Sequence, residues 1–219
     1  MTNDEFRMTK EDNDAFTLIE LLIVISIIII LMGLLFPAFR GAQDQAKKVQ
    51  AKNDLTQIVN AVNAFYTDYG KYPLVTADTI ISGTTASPNN NSDLFYSLRA
   101  IPLGANQLVN GVPAVNPRSI VFIGPADVKD PANPRSGIGT AGAGLGRYFD
   151  PWGTPYLIEI DGNYNNAVAN PYTANAGATP NLAIGVVAWS LGTDQAGATA
   201  AASGDKNTGI YADDVISWQ

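Results

Sequence analysis

A long apolar run near the N-terminus constrains this chain more than any other feature. Residues 16–36, FTLIELLIVISIIIILMGLLF, carry Glu20 as their only charge. At about 1.5 Å per residue, a helix of this length spans the roughly 30 Å hydrocarbon layer and satisfies its own backbone in lipid. The run therefore predicts one transmembrane helix. Its carboxylate needs an explanation, because a charge at bilayer depth costs roughly 2.5–3.5 kcal/mol on insertion scales.

A secretory signal peptide is the alternative interpretation of such a run. Signal peptides have a basic start, a shorter apolar core and a small-residue cleavage site after that core. In this chain the first fifteen residues are acidic overall, and the small residue Ala15 comes before the run rather than after it. The pattern favours a membrane anchor that is kept.

The stretch AFTLIELLIVI, residues 15–25, resembles the cleavage and methylation signal of type IV pilins and of type II secretion pseudopilins. The resemblance implies that a prepilin peptidase cuts between Ala15 and Phe16 and methylates the new N-terminus at Phe16. Residues 1–15 would then be a leader, or a shorter one if translation starts at Met8. Ala15 stands where the family usually has glycine. By position, Glu20 matches the family's glutamate and Pro37 its proline.

The resemblance also offers a partner for Glu20. Cleavage would give Phe16 a free α-amine, whose reference pKa of about 8 leaves it mostly cationic. In the resembled family that amine pairs with the glutamate of a neighbouring subunit, which implies that Glu20 sets the stagger between subunits during assembly. The alternative is a glutamate near the helix start that reaches the lipid surface.

Orientation in the membrane is predicted differently by two arguments. The acidic leader, with Arg40, Lys47 and Lys48 on the other side of the run, predicts an N-terminus outside under the positive-inside tendency. The resemblance implies the reverse, a single-pass inner-membrane protein with its C-terminal head in the periplasm.

Residues 42–69 continue at helical period and predict an amphipathic second half of the same helix, 16–69. Gly70 and Pro73 would end it, and Pro37 predicts a local kink or melted turn. The stripe is too short for a coiled coil and is expected to pack on the chain's own head, residues 70–219. The apolar stripe consists of Leu55, Ile58, Val59, Val62, Phe65, Tyr66 and Tyr69.

The head is polar and rich in small residues, with a few short structural signals. A short helix is expected near residues 92–100, capped by Ser92, and Asn90 begins a formal glycosylation triplet. Strands are expected at 119–124, 156–161 and 181–192, with a hairpin-type turn at 161–165. These elements predict an α+β, pilin-like fold in which the long N-terminal helix packs on a small antiparallel sheet of about three strands. The stretch DPWGTPY, from Asp150, also resembles a motif that precedes the sheet in major pseudopilins.

Composition excludes several kinds of function. The net charge of −7 argues against nucleic-acid binding, and the absence of cysteine and histidine removes thiolate chemistry and the usual general base. We expect that this chain is not an enzyme. The enzymatic alternative would use Asp150, Glu159 and Asp161 as paired carboxylates. However, Glu159 and Asp161 lie two apart on one predicted strand, which is more typical of a solvated face. Trp152 and Trp189 are expected in the core.

The C-terminal stretch SLGTDQAGATAAASGDKNTGIYADDVISW is acidic, with Lys206 as its only basic residue. Calcium binds six to eight oxygens in irregular loops, so a calcium site is expected here. The alternative is a solvated acidic turn. Major pseudopilins resemble this region and have a calcium site there. The resemblance implies carboxylates from Asp194, Asp213 and Asp214 and the Leu191 carbonyl, with Asp205 in a variable insertion.

The resemblance implies a structural subunit of a type II secretion pseudopilus or of a type IV pilus-like filament. Its partners would be further copies, other pseudopilins, the prepilin peptidase and an inner-membrane assembly platform. The alternatives are a surface type IV pilin for adhesion or motility, a membrane-anchored calcium-dependent binding module, and a membrane-anchored enzyme.

Overall fold

The computed structural model describes residues 16–83 and 90–219, so Ala15 and the predicted leader lie outside the described residues. Within these two ranges the chain forms two α-helices, α1 (Leu18–Tyr69) and α2 (Asn91–Leu98). The described strands are short: β1 (Thr79–Ile81), β2 (Leu108–Val109), β3 (Val112–Pro113), β4 (Gly137–Ile138), β5 (Tyr148–Phe149), β6 (Leu157–Ile160), β7 (Val168–Ala169), β8 (Tyr172–Ala174), β9 (Asn181–Leu182), β10 (Val186–Ser190), β11 (Gly204–Asp205) and β12 (Val215–Ile216).

Helix α1 confirms the long helix that the sequence predicts. It ends at Gly70, which has a left-handed φ of +67° and donates its N–H to the Tyr66 carbonyl at 2.8 Å. Helix α1 runs through Pro37, and the local kink or melted turn predicted there stays a prediction.

The chain divides into a unit that ends at Gln45 and a unit from Ala46 to Gln219. In the first unit, the described side chains of residues 16–35 are exposed although almost all are apolar. By length and composition this part of α1 is able to cross a membrane. It contributes no core of its own.

In the second unit, the stripe of α1 packs on one face of the main sheet. Leu55, Ile58, Val62 and Phe65 are fully buried, and Val59 and Tyr69 pack beside them. Tyr66 was expected in this stripe but is 40% exposed, because its ring stacks on Tyr72 at the surface with centroids 4.6 Å apart.

The main sheet is antiparallel with the order β1-β6-β10-β12, which confirms the predicted α+β class. It has four strands rather than three, because the two edge strands are only two and three residues long and carry little sequence signal. The strand predicted at 181–192 is divided into β9 and β10. Between them lies Gly185, where a Cβ would collide with the Tyr72 hydroxyl.

Strand β6 is buried on both faces, which overturns the half-buried strand and the solvated carboxylates that alternation predicted. Ile158 and Ile160 face α1, while Leu157 belongs to a second core cluster with Trp189 and Tyr172. Glu159 is 3% exposed and Asp161 2% exposed. The reason is that residues 162–182 fold back over this face of the sheet, which strand periodicity cannot reveal.

Three smaller predictions are corrected. Residues 119–124 form no strand. Instead, Phe122 and Ile123 enter the core, and the Asn116 side chain binds the N–H and carbonyl of Ile120.

The N-terminal cap of α2 is Asn90 rather than Ser92. The Asn90 side chain accepts the Asp93 N–H at 2.7 Å, so the first residue of the predicted glycosylation triplet caps a helix.

The turn at 161–165 does not form a tight hairpin, because β7, β8 and β9 lie between β6 and β10. Instead, the Asp161 carboxylate accepts the N–H groups of Asn165 and Asn166 at 3.2 and 2.6 Å. These bonds hold the loop that covers the outer face of the sheet.

Candidate functional site

At the start of α1, Thr17 and Glu20 form a reciprocal capping arrangement. The Glu20 carboxylate accepts the backbone N–H of Thr17 at 2.9 Å and its hydroxyl at 2.6 Å. In return, the Glu20 N–H donates to the Thr17 hydroxyl at 3.3 Å. This is a capping box of the Thr-x-x-Glu type, which satisfies N–H groups that a helix otherwise leaves without partners. The sequence contains the signal, but reasoning from the apolar run alone missed it.

The capping box gives Glu20 a partner within its own chain. Phe16 and Glu20 both remain exposed, with Phe16 at 74%. The carboxylate is therefore placed at the first turn of an apolar helix, where a positive group from another chain can reach it. The roles predicted for Phe16, Glu20 and Pro37 in processing and assembly stay predictions.

In the acidic C-terminal stretch, the Asp213 carboxylate binds the turn formed by residues 191–194; we call this contact the Asp213 clasp. The Asp213 Oδ2 accepts the N–H groups of Thr193 and Asp194 at 2.5 and 3.1 Å. Gly192 has a φ of +68°, and a Cβ there would lie 2.5 Å from the Asp213 carbonyl oxygen. Only glycine fits this close approach. The structure thus brings together the 191–194 turn and Asp213; their role in a calcium site stays a prediction.

Asp214, the next residue, is buried, at 5% exposure. Its Oδ2 accepts the Tyr172 hydroxyl at 2.7 Å, while its Oδ1 has no hydrogen-bond partner. Burial raises the pKa of the Asp214 carboxyl to about 7, against the Tyr172 bond and the Lys206 charge, which lower it. An orphaned carboxylate oxygen at a buried position is costly and suits a cation.

The other two predicted ligands lie differently. Asp194 places its Oδ1 on the Ala196 N–H at 2.9 Å. Asp205 is bonded to Asn175 and to the Asn207 N–H, at 2.8 and 2.9 Å. These bonds lower the pKa of the exposed Asp205 carboxyl. Asp205 therefore has its own local partners.

The donor set fits calcium in part. Across residues 16–83 and 90–219, no three acidic side chains form a cluster that could hold a metal ion. Asp213 and Asp214 would need backbone carbonyls, such as that of Leu191, to complete a shell of oxygens. Such a shell is compatible with calcium, which accepts carbonyl as well as carboxylate ligands.

The carboxylates considered for enzymatic catalysis serve the chain's own backbone. Asp150 is fully buried, and its Oδ1 accepts three N–H groups, those of Trp152, Gly153 and Thr154, at 2.7–2.9 Å. Glu159 accepts the Ala169 N–H at 3.1 Å. These carboxylates hold turns of the chain together. Trp152 and Trp189 are buried, as predicted.

The prokaryotic N-terminal methylation motif matches residues 12–36, which include the capping box and the whole apolar run. This match confirms the resemblance drawn from the N-terminal residues.

The proteins of similar sequence are named as type II secretion system core proteins or as a fimbrial protein. The chain is 31% identical over 87 residues to the type II secretion system core protein G of Aeromonas hydrophila, which is 39% of this chain and 61% of that protein. It is 36% identical over 66 residues to the core protein G of Pseudomonas aeruginosa, covering 30% and 46%. It is 37% identical over 82 residues to the fimbrial protein EcpC of Eikenella corrodens, covering 37% and 52%. The chain thus spans about half to three-fifths of these relatives, and no solved structure matches it.

Proposed function

We propose that this protein is a structural subunit of a type II secretion pseudopilus, or of a closely related type IV pilus-like filament. One observation carries the proposal: the methylation motif lies on a continuous helix whose first part exposes almost only apolar side chains. Such a surface is stable only in lipid or against other apolar helices. A filament core built from many copies of this helix supplies the second environment.

The processing step follows from the same motif. A peptidase would cut between Ala15 and Phe16 and methylate Phe16, and the new α-amine would pair with Glu20 of a neighbouring copy. Mass spectrometry of the mature N-terminus tests this. We expect a chain that begins at N-methylated Phe16, and a mature chain that keeps residues 1–15 would contradict the proposal.

The partners and location are proposed with the function. Before assembly the chain would be anchored in the inner membrane by residues 16–36, with the head in the periplasm. Assembly would involve further copies, other pseudopilins and a membrane platform. The relatives named core protein G favour a secretion pseudopilus, and the fimbrial relative favours a surface pilus. Deletion of the gene would distinguish them, since the first predicts a secretion defect with normal surface fibres and the second the loss of surface fibres.

We further propose that the acidic C-terminal turn binds calcium. Two observations support this proposal: the Asp213 clasp holds the 191–194 turn, and the Oδ1 of the next residue, Asp214, has no hydrogen-bond partner. Asp213 and Asp214 would supply carboxylates, with Leu191 contributing its carbonyl and Asp194 an additional oxygen. The ion would supply positive charge that ties the 191–194 turn to the strand that follows Asp214.

Calorimetry on the full chain in detergent tests the calcium site. We expect calcium to bind and to raise the melting temperature, Asp213→Asn to weaken binding at least about tenfold because one charged ligand is lost, and Asp205→Asn to bind like the wild type. Asp205→Asn is the matched control, because this residue has partners of its own. The absence of both calcium binding and a calcium-dependent rise in melting temperature would contradict the proposal.

A further inference from the structure

The turn at residues 150–155, DPWGTP, and the turn at residues 190–195, SLGTDQ, are joined by a buried hydrogen-bond relay. The Ser190 hydroxyl donates to the Asp150 Oδ2 at 2.5 Å and accepts the Gly192 N–H at 3.2 Å. Asp150 and Ser190 are both fully buried. The relay therefore connects the end of β10 to a carboxylate that already holds the DPWGTP turn through three N–H groups.

The direction of the relay is set by Asp150. A hydroxyl has one hydrogen to donate and lone pairs to accept with. Both Asp150 carboxylate oxygens act as acceptors here, so the Ser190 hydrogen points to Asp150 and its lone pairs remain for Gly192. This orientation favours the conformation in which Gly192 turns back toward Ser190.

A second contact joins the same two turns. The Gln195 side chain donates to the Trp152 carbonyl at 2.6 Å. Gln195 has a φ of +59° and Gly192 a φ of +68°, so the SLGTDQ turn contains two left-handed residues, one of them not glycine. A left-handed conformation is unfavourable for a residue with a side chain. External support from the DPWGTP turn offsets that cost.

The SLGTDQ turn in turn receives Asp213. The Asp213 carboxylate accepts the N–H groups of Thr193 and Asp194, which lie between the two left-handed residues. Both N–H groups point to one oxygen only if the turn keeps its shape. The position of Asp213 thus depends on the contacts that the DPWGTP turn makes with Ser190 and Gln195.

We propose that Asp150 is a positioning residue for the acidic C-terminal turn: acting through Ser190, and assisted by Gln195, it sets the conformation of residues 191–195 onto which Asp213 docks. The DPWGTP turn is then a template for the SLGTDQ turn as well as a connection before β6. The proposal extends the calcium site of the proposed function, but the template is present without an ion.

Hydrogen exchange of the full chain in detergent, with a chelator present, tests the template. In Ser190→Ala we expect the amides of residues 192–194 to exchange about five- to tenfold faster, because one buried hydrogen bond is lost. The Trp152, Gly153 and Thr154 amides should keep their protection, since Asp150 still accepts them. Unchanged exchange at 192–194, or an equal acceleration over the whole head, would overturn the proposal.

Two further variants keep the test decisive. Gln195→Ala removes the second contact without disturbing a fully buried side chain, and it should accelerate the same amides while the melting temperature stays at the wild-type value. Asp130→Asn is the matched control for a carboxylate in a turn, because Asp130 Oδ1 accepts the Ala132 N–H at an exposed site. If Gln195→Ala exchanges like the control, the template is wrong.

Calcium titration of the same variants separates this inference from the calcium proposal. A wild type that binds no calcium contradicts the calcium site, and in that case the exchange pattern decides the template. Where the wild type binds, Ser190→Ala should bind about tenfold more weakly, because the turn must be ordered by the ion itself. Equal affinity of Ser190→Ala and the wild type would count against the template.

Discussion

At the scale of single residues, Glu20 combines two tasks within one helical turn. Its carboxylate closes the first turn of α1 through Thr17, and the same group is the one charge in the apolar run. Capping lowers the cost of a helix end without other partners, and it holds the carboxylate at a fixed height on the helix. The capping bonds thus fix the position of the Glu20 carboxylate, and the positive partner proposed for it would come from another chain.

Substituting Thr17 and Glu20 one at a time separates helix capping from the proposed role of Glu20 in filament assembly. Thr17→Val removes the capping hydroxyl, which should cost about 1 kcal/mol of helix stability but leave filament assembly intact, because the carboxylate remains. Glu20→Ala should leave the chain in the membrane fraction and abolish filaments. Membrane fractionation and negative-stain imaging of the processed protein measure both effects. Normal filament yield in Glu20→Ala would rule out the assembly role.

At the scale of elements, the second part of α1 is the apolar wall on which the main sheet is built. Phe65 is fully buried and lies 5.3 Å from the Phe122 ring, whereas Tyr66 is at the surface. Neighbouring residues on one helix thus differ sharply in burial. The difference follows from a helical period of 3.6 residues, which turns one of the two rings away from the sheet.

A pair of alanine substitutions measures this asymmetry. Phe65→Ala should lower the free energy of unfolding by about 3–5 kcal/mol, because it leaves a cavity between α1 and the sheet. Tyr66→Ala should cost under about 1 kcal/mol, since it loses surface stacking alone. Urea unfolding of the full chain in detergent, followed by tryptophan fluorescence, gives both values. Equal losses would contradict the described packing.

At the scale of the whole molecule, two buried carboxyls make the stability of the second unit depend on pH. Burial raises the pKa of Glu159 to about 7, with a further rise from the Asp78 charge, although the Ala169 N–H lowers it. Its Oε2 has no hydrogen-bond partner. Asp214 has a similarly raised pKa of about 7. Both groups therefore bind a proton more readily in the folded chain than in the unfolded chain.

The sign of the pH dependence follows from linkage. The folded pKa values lie above the ordinary values of 4.5 for Glu159 and 3.8 for Asp214, so between these values and about 7 the folded chain binds more protons than the unfolded chain. Stability is therefore greatest below about pH 4 as far as these groups are concerned. It is lost as the pH rises toward 7.

Replacing Glu159 tests this account. Glu159→Gln keeps an acceptor for the Ala169 N–H but cannot ionise, so it should raise stability at pH 8 by roughly 2–3 kcal/mol and flatten the decline between about pH 4.5 and 7. Urea unfolding at several pH values, with a chelator present, measures the effect. Asp130→Asn, at an exposed turn, serves as the control. A decline that is as steep in Glu159→Gln as in the wild type would contradict the assignment.

The sequence by itself determined the long helix, its end at Gly70, the α+β class and the motif around Phe16 and Glu20. These features depend on local chemistry: uninterrupted apolar residues, a glycine that accepts a left-handed φ, and the spacing of a short motif. Leu55, Ile58, Val62 and Phe65 were identifiable as core for the same reason, since helical period places them on one face.

Only the tertiary structure decided which polar residues are buried and what they hold. Alternation predicted Glu159 and Asp161 on a solvated face, but residues 162–182 fold over that face and enclose both. The relay from Asp150 to Ser190 joins residues 40 positions apart. The Asp213 carboxylate accepts the N–H of Thr193, which lies 20 positions earlier in the chain. Such contacts depend on how distant segments pack, because a hydrogen bond forms wherever the fold brings a donor and an acceptor together. The local sequence pattern does not show which distant residues will come into contact.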